Sequence, residues 1–224
     1  MEIIRSDFDR LALLETRGWN HNSHYHPYLL RHVPPGCQES LDVGCGSGAF
    51  ARLLAQRSQR VVGLDLSPQM IRLARERSGE WPNIEYHVAD ALAWDWPAEG
   101  FDCIASIATL HHLPLDAVLA KAKAALRLKG VLLVLDLRQG EGWLDLLAGI
   151  PAAAVSAVLR LAKTGRLREP PEVRAAWAEH GRHDTYLPLS RVRRTCTALL
   201  PGAVVKRHLL WRYSIVWGKE TSDN

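Results

Sequence analysis

The chain has 224 residues, 47% of them hydrophobic and 23% charged, which excludes a disordered, collagenous or disulfide-stapled protein and suits one domain of about 200 residues with room for an insertion. The net charge of +4 is uneven, since residues 160–212 hold twelve Lys and Arg against four Asp and Glu, a local +8 that leaves −4 elsewhere. Such asymmetry fits a solvated basic face or a surface for nucleic acid, and the lack of an aromatic stacking stripe favours the former.

In chain order, the N-terminal MEIIRSDFDR lacks the apolar core of a signal peptide. An aromatic and histidine-rich segment follows, WNHNSHYHPYLLRHVPP, closed by a Pro-Pro that stops any helix. From Ser40 short apolar runs alternate with amphipathic stretches. SLDVG, RVVGLDL, IEYHVAD, FDCIASI and GVLLVLD read as buried strands, and AFARLLAQRS, SPQMIRLARERSG and DAVLAKAKAALR as helices, the second with Ser67 as N-cap and Pro68 at its first position. This alternation predicts a largely parallel sheet with helices on both faces.

After Asp136 the rhythm breaks, and two helical stretches (WLDLLAGIPAAAVSAVLRLAKTG and PPEVRAAWAEHG) intervene before a helix SRVRRTCTALLPG and two strands, AVVKRHLL and WRYSIVWGK. The charge-free run Leu146 to Leu159 has 14 residues and contains Gly149 and Pro151; that is short of the ~20 needed to span a bilayer. Cys37, Cys45, Cys103 and Cys196 have neither C-x-x-C nor paired zinc spacing. They read as free thiols of a reducing compartment, so the expected location is cytoplasmic.

The chemistry is concentrated in SLDVGCGSGAF, where a strand runs into Gly44, Gly46 and Gly48 and then a helix. Glycines are needed there for positive φ or for close approach of a ligand, and in an open parallel sheet ligands bind at the carboxyl ends of the strands. Read with Ala49, the run also fits G-x-G-x-x-A, a dinucleotide fingerprint. Three acids separate the readings. Asp42 is placed to face an ammonium, Asp65 ends the second strand where a carboxylate accepts both ribose hydroxyls, and Asp90 ends the third where it can accept from an adenine amine. An ammonium, a ribose and an adenine without a pyrophosphate describe S-adenosylmethionine.

The run LDVGCGSG, with LDLSPQMI, VADAL, LHHLP and LKGVLLVLD in order, resembles the class I S-adenosylmethionine-dependent methyltransferases over roughly residues 38–136, and the strand pair 203–218 fits the same pattern. The resemblance implies an α/β Rossmann-like fold: a seven-stranded, mostly parallel sheet with an antiparallel last strand, helices on both faces and a helical lid between strands 5 and 6. It implies one domain over 1–224, comprising an N-terminal helical cover (1–36), a cofactor-binding core (37–137), a lid (138–187) and a closing helix and strand pair (188–219). It also implies S-adenosylmethionine as cofactor and S-adenosylhomocysteine as product. Asp42, Gly44, Cys45, Gly46 and Gly48 would hold the methionine end and Asp65 the ribose. Leu66 and Met70 would line the adenine pocket, with Asp90 and Ala91 on the adenine and Ser106 and Ile107 along the cofactor.

Methyl transfer from a sulfonium is an in-line displacement with a neutral leaving group, so alignment dominates and the chief proton to be moved is the acceptor's. His111 and His112, at the carboxyl end of the fourth strand, are the candidate bases; a structural or cofactor-adjacent role is the alternative. His180 and His183, with Asp184 and Tyr186, can face the acceptor from the insertion. His24, Tyr25 and Tyr28 fall on one helical face and are candidates for covering the acceptor or for packing that helix on the sheet. His21, His24 and His26 lack a partnering Cys or carboxylate, so no metal is expected. The apolar insertion helix (Leu146, Leu147, Ile150, Val155, Val158, Leu159) reads as an acceptor lid that favours a small, partly apolar acceptor, with nearby arginines able to hold an anionic group, or else as a dimer interface or ordinary core. RNA held by Arg191, Arg193, Arg194, Lys206 and Arg207 is a second reading, and a non-catalytic cofactor-binding module a third. The Asn/Asp-Pro-Pro-Tyr/Phe signature of base-amine methylation is replaced by Ser106-Ile107-Ala108-Thr109. The chain is expected as a monomer or homodimer without a membrane span.

Overall fold

A computed structural model describes residues 2–14, 19–140, 143–182 and 184–220. Strands β1 (Cys37–Val43), β2 (Ser58–Asp65), β3 (Ile84–Val88), β4 (Phe101–Ile107), β5 (Leu126–Leu137), β6 (Val204–Arg207) and β7 (Arg212–Gly218) form one sheet in the order β3-β2-β1-β4-β5-β7-β6. The first five pair in parallel, and β7 runs antiparallel to both β5 and β6. This is the expected seven-stranded, mostly parallel sheet. The order reverses at β1, so the crevice of this fold lies over the carboxyl ends of β1 and β4.

Continuous apolar runs follow from burial on both faces. Along β5, Leu132 and Val134 pack with α5 (Leu115–Ala125) and α8 (Leu189–Leu199), while Val131, Leu133 and Leu135 face the core that holds α3 (Ala49–Leu54) and α4 (Pro68–Arg77). The α4 start is as expected: the Ser67 hydroxyl accepts from Met70 N at 3.0 Å, with Pro68 in the first turn. Three further helices cover the carboxyl edge: α1 (Glu2–Leu14), α6 (Trp143–Thr164) and α7 (Pro171–His180).

Local signals placed some boundaries wrongly. The helix read through Arg127 ends at Ala125, because Leu126 already pairs with Phe101 across a register shift and belongs to β5. The segment from Trp19 is not one helix but a 3-10 turn, Ser23–Tyr25, leading into the short α2 (His26–Leu30), with Pro27 limiting the first turn. The strand expected over AVVKRHLL is shorter, since the chain leaves β6 after Arg207 to turn through Leu210 and Trp211, both at positive φ. Among the described residues no helix is long and apolar enough to cross a membrane, α6 included.

Candidate active site

The glycine loop shows two different uses of glycine. Gly44, Gly46 and Gly48 have φ of 70°, 52° and 76°, a region that side chains disfavour. A Cβ at Gly44 would stand 2.1 Å from Thr109 Oγ1, and one at Gly48 2.3 Å from the Tyr86 hydroxyl, so both are also fixed by packing. A Cβ at Gly46 would meet nothing within 4 Å, because this residue borders open space.

That space is a cavity of about 850 Å³ over the carboxyl edge of the sheet. Asp42, Gly44, Cys45, Gly46 and Asp65 line one side of it. Leu66, Met70, Asp90, Ala91 and Ile107 continue the wall, and His111, His112 and His180 stand at the other end. Gly48 and Ser106 are not in the wall. Gly48 is turned toward Tyr86, and the Ser106 hydroxyl donates to Val43 O at 3.0 Å inside the sheet.

Asp42 carries the strongest signal. Its carboxylate is buried in the cavity wall, and neither oxygen has a hydrogen-bond partner. Burial, then the nearby Asp65, pushes its pKa up to about 7. A carboxylate is costly in such a place unless a cation joins it, and the ammonium of an amino-acid ligand is such a cation. Asp65 differs: its oxygens accept from Gly46 N at 2.8 Å and Ser67 N at 2.9 Å, which fixes its rotamer toward the cavity. Burial still raises it to about 6. Asp90 Oδ1 accepts from Leu92 N at 2.8 Å, which orders the turn after β3. These groups fit the cofactor that the resemblance implies.

A buried histidine–carboxylate network fills the far end. His111 Nδ1 lies 2.6 Å from Asp136 Oδ1, and Asp136 Oδ2 accepts from His111 N at 2.8 Å. Asp184 is the hub: its Oδ2 accepts from Tyr186 Oη at 2.7 Å and is 3.9 Å from His111 Nε2, and its Oδ1 is 3.5 Å from His112 Nδ1 and 3.4 Å from His180 Nε2. His180 Nδ1 is held at 3.1 Å by Asp7 of α1. Burial, then His111, lowers His112 to about 4, so its ring is neutral at physiological pH. His111, His112 and Asp184 each bring one ligand-type atom within 4.8 Å of the others, the one such grouping among the described residues. His21, His24 and His26 form none.

The residues expected to cover the acceptor stand away from the cavity. Tyr25 is buried with its hydroxyl donating to Leu209 O at 2.6 Å, Tyr28 packs against His32 and His208, and His24 is exposed. None of the three lines the cavity, because the chain at Ser23–Tyr25 is a tight turn that leaves Tyr25 and Tyr28 against the β6–β7 connection. His183 lies outside the described residues, as do the side chains of Leu146, Leu147 and Ile150. The wall is instead closed by Ile4, Phe8 and Leu11 of α1, with His21, Asn22 and His26 beside them. The 4-8-11 spacing is a helical face and was available in the sequence. Arg212 had no such signal.

A family model described as a methyltransferase domain matches residues 41–130. An uncharacterized methyltransferase of Mycobacterium bovis is 31% identical over 202 residues, covering 89% of this chain and 96% of that protein. A ubiquinone biosynthesis O-methyltransferase of Xanthomonas axonopodis is 28% identical, covering 73% and 70% of the two chains. Among solved structures, the N-methyltransferase NodS of Bradyrhizobium japonicum in complex with S-adenosylhomocysteine superposes with a TM-score of 0.62 at 17% identity, over 97% of this chain and 99% of that one. The chain belongs to the class I S-adenosylmethionine-dependent methyltransferases and is an enzyme of that family.

Proposed function

We propose that the enzyme methylates a small, partly apolar acceptor seated between the cofactor wall and the helices α1, α6 and α7, with His111 as the base that takes the acceptor's proton. The observation that carries this reading is the single cavity that joins Asp42 and Asp65 to the histidine network. Its ~850 Å³ stands near the top of the ~300–1,000 Å³ range of ligand sites, leaving room beside a nucleoside for a second small molecule.

When bound, S-adenosylmethionine supplies an electrophilic methyl group. Asp42 would hold its ammonium, Asp65 the ribose hydroxyls, Asp90 and Ala91 the adenine, and Leu66, Met70 and Ile107 the apolar surface. Cys45 and Gly46 would contribute backbone at the methionine end. The chain's own work is then to orient the acceptor, exclude water and move one proton. Asp136 accepts from Nδ1 of His111, the tautomer that leaves Nε2 free to take a proton. His112, neutral and weakly basic, packs against His111 and Phe8 as a wall of the same chamber. No metal enters this reading, and turnover should survive a chelator. Four buried free thiols accord with a reducing, cytoplasmic setting.

The RNA reading is weaker. Arg191, Arg193, Arg194, Lys206 and Arg207 lie outside the cavity wall, on α8 and β6. Production of S-adenosylhomocysteine, measured over panels of phenols, amines and small acids and with bulk tRNA, tests the proposal. Turnover with a small molecule supports it; turnover with tRNA alone sinks it.

A further inference from the structure

Arg212 opens β7, and its register opposite Leu137 sets it at the carboxyl end of β5. Both residues line the cavity. Arg212 is only 8% exposed. Its Nε donates to Asn22 Oδ1 at 2.8 Å and its Nη1 to Leu210 O at 3.1 Å, both neutral acceptors. Among the described residues no carboxylate lies within the 4.0 Å of an ion pair. A guanidinium cannot shed its charge, so a buried one with no carboxylate in hydrogen-bond contact is costly.

The other cations of the wall are accommodated differently. Arg160 pairs with Glu169 and lies over the Trp19 ring, while Lys163, Arg166 and Arg168 are exposed to water. Arg212 alone among them is both buried and without an acid. It is also remote from the glycine loop: β7 is the third strand from β1, roughly 14 Å across the sheet. Its neighbourhood is that of the histidine network, with Asp136 close enough for its charge to act on it.

We propose that Arg212 anchors a carboxylate borne by the methyl acceptor, so that the acceptors of this enzyme are apolar or aromatic carboxylic acids. The proposal rests on the methyl-transfer reading of the cavity. Two of the five guanidinium hydrogens are engaged, leaving three, enough for a two-bond clamp on one carboxylate. The charge of Asp136 reaches Arg212, but no carboxylate bonds its guanidinium; a carboxylate monoanion matches one guanidinium, whereas a phosphate dianion would leave a surplus charge buried at the same depth. The clamp would set the acceptor's distance from His111, and Trp19 and Phe8 supply apolar surface for its body.

The test is a library of aromatic and aliphatic carboxylic acids, each paired with its primary amide, screened by ligand-observed NMR against the unliganded wild type. Phenyl phosphate is included as the dianionic arm. Binding of S-adenosylhomocysteine is measured alongside by calorimetry. Acids are expected to bind about tenfold or more tightly than their amides, and Arg212→Gln to abolish that preference while leaving S-adenosylhomocysteine affinity within about twofold. Equal affinity of acids and amides for the wild type overturns the proposal without any variant, as does a preference for phenyl phosphate. An acid preference that survives in Arg212→Gln overturns it as well. If Arg212→Gln or Arg212→Lys instead loses about tenfold in S-adenosylhomocysteine affinity, the guanidinium serves the cofactor's own carboxylate and the proposal is wrong. Failure of wild-type protein to bind S-adenosylhomocysteine would indict the methyl-transfer reading separately.

Discussion

At the residue scale, Asp42 holds stability and binding in opposition. Its folded pKa of about 7 lies above the 3.8 of the free group. The raised value means that its protonated form is favoured by folding and that the ionised form opposes it, with the penalty growing as pH rises from about 4 to about 7. A ligand ammonium needs the ionised form. Affinity for S-adenosylhomocysteine should therefore rise about tenfold per pH unit below about 7 and level off above, with proton release on binding seen by calorimetry in buffers of different ionisation enthalpy. Asp42→Asn should raise the thermal midpoint of the unliganded protein at pH 8 by a few degrees, about 1 kcal/mol or more, and remove most of the cofactor affinity. A pH-independent affinity in the wild type would contradict this account. His111 and Asp136 meet twice, ring Nδ1 to Oδ1 at 2.6 Å and backbone N to Oδ2 at 2.8 Å. His111→Asn is expected to cut kcat by about 10²–10⁴-fold. Asp136→Asn, which favours the wrong tautomer, should lower kcat with little change in KM.

At the scale of elements, α1 works as a cover held both by an apolar cluster, Leu11 and Ala12 with Met70 and Ala176, and by polar ties. Ile4, Phe8 and Leu11 face the cavity, while Asp7 binds His180 at 3.1 Å and Arg10 meets Glu179 at 2.7 Å on α7. The Arg10–Glu179 pair is about half exposed on both sides and contributes little. The more telling link is Ser67, whose hydroxyl accepts from Met70 N and donates to Asp9 of α1 at 2.5 Å. One side chain thus caps α4 and fastens the cover. Ser67→Ala should cost about 1–2 kcal/mol by chemical denaturation and also speed hydrogen exchange in α1. Phe8→Ala, which leaves the cap intact, should weaken ligand binding about tenfold with a smaller loss of stability. Unchanged exchange in α1 of Ser67→Ala would show that the helix is held by its apolar face alone.

Over the whole molecule, charge is sorted by location. The exposed arginines of α8, Arg191, Arg193 and Arg194, lie away from the cavity, whereas the buried Arg212 belongs to it. Replacing those three by Gln should leave S-adenosylhomocysteine affinity and small-molecule turnover within about twofold at any moderate ionic strength; a steep loss of turnover would instead mark α8 as part of an acceptor surface.

What the sequence determined by itself was local or periodic. The alternation of apolar runs and helices gave the parallel sheet and its antiparallel close, because a strand buried on both faces must be apolar throughout, as Val131–Leu135 is. The glycines after β1, the N-cap at Ser67 and the acids at strand ends were legible because each answers to backbone geometry within a few residues. Only the tertiary structure decided which side chains share the cavity. Asp136 meets His111 from 25 residues away and Asp7 meets His180 from 173. Arg212 reaches Asn22 across 190. No spacing rule joins such pairs. The same reason explains why Tyr25 and Tyr28, neighbours of cavity residues along the chain, turn out to pack behind the wall: one tight turn reverses which side a residue faces, and the partners that settle it are supplied by the far end of the chain.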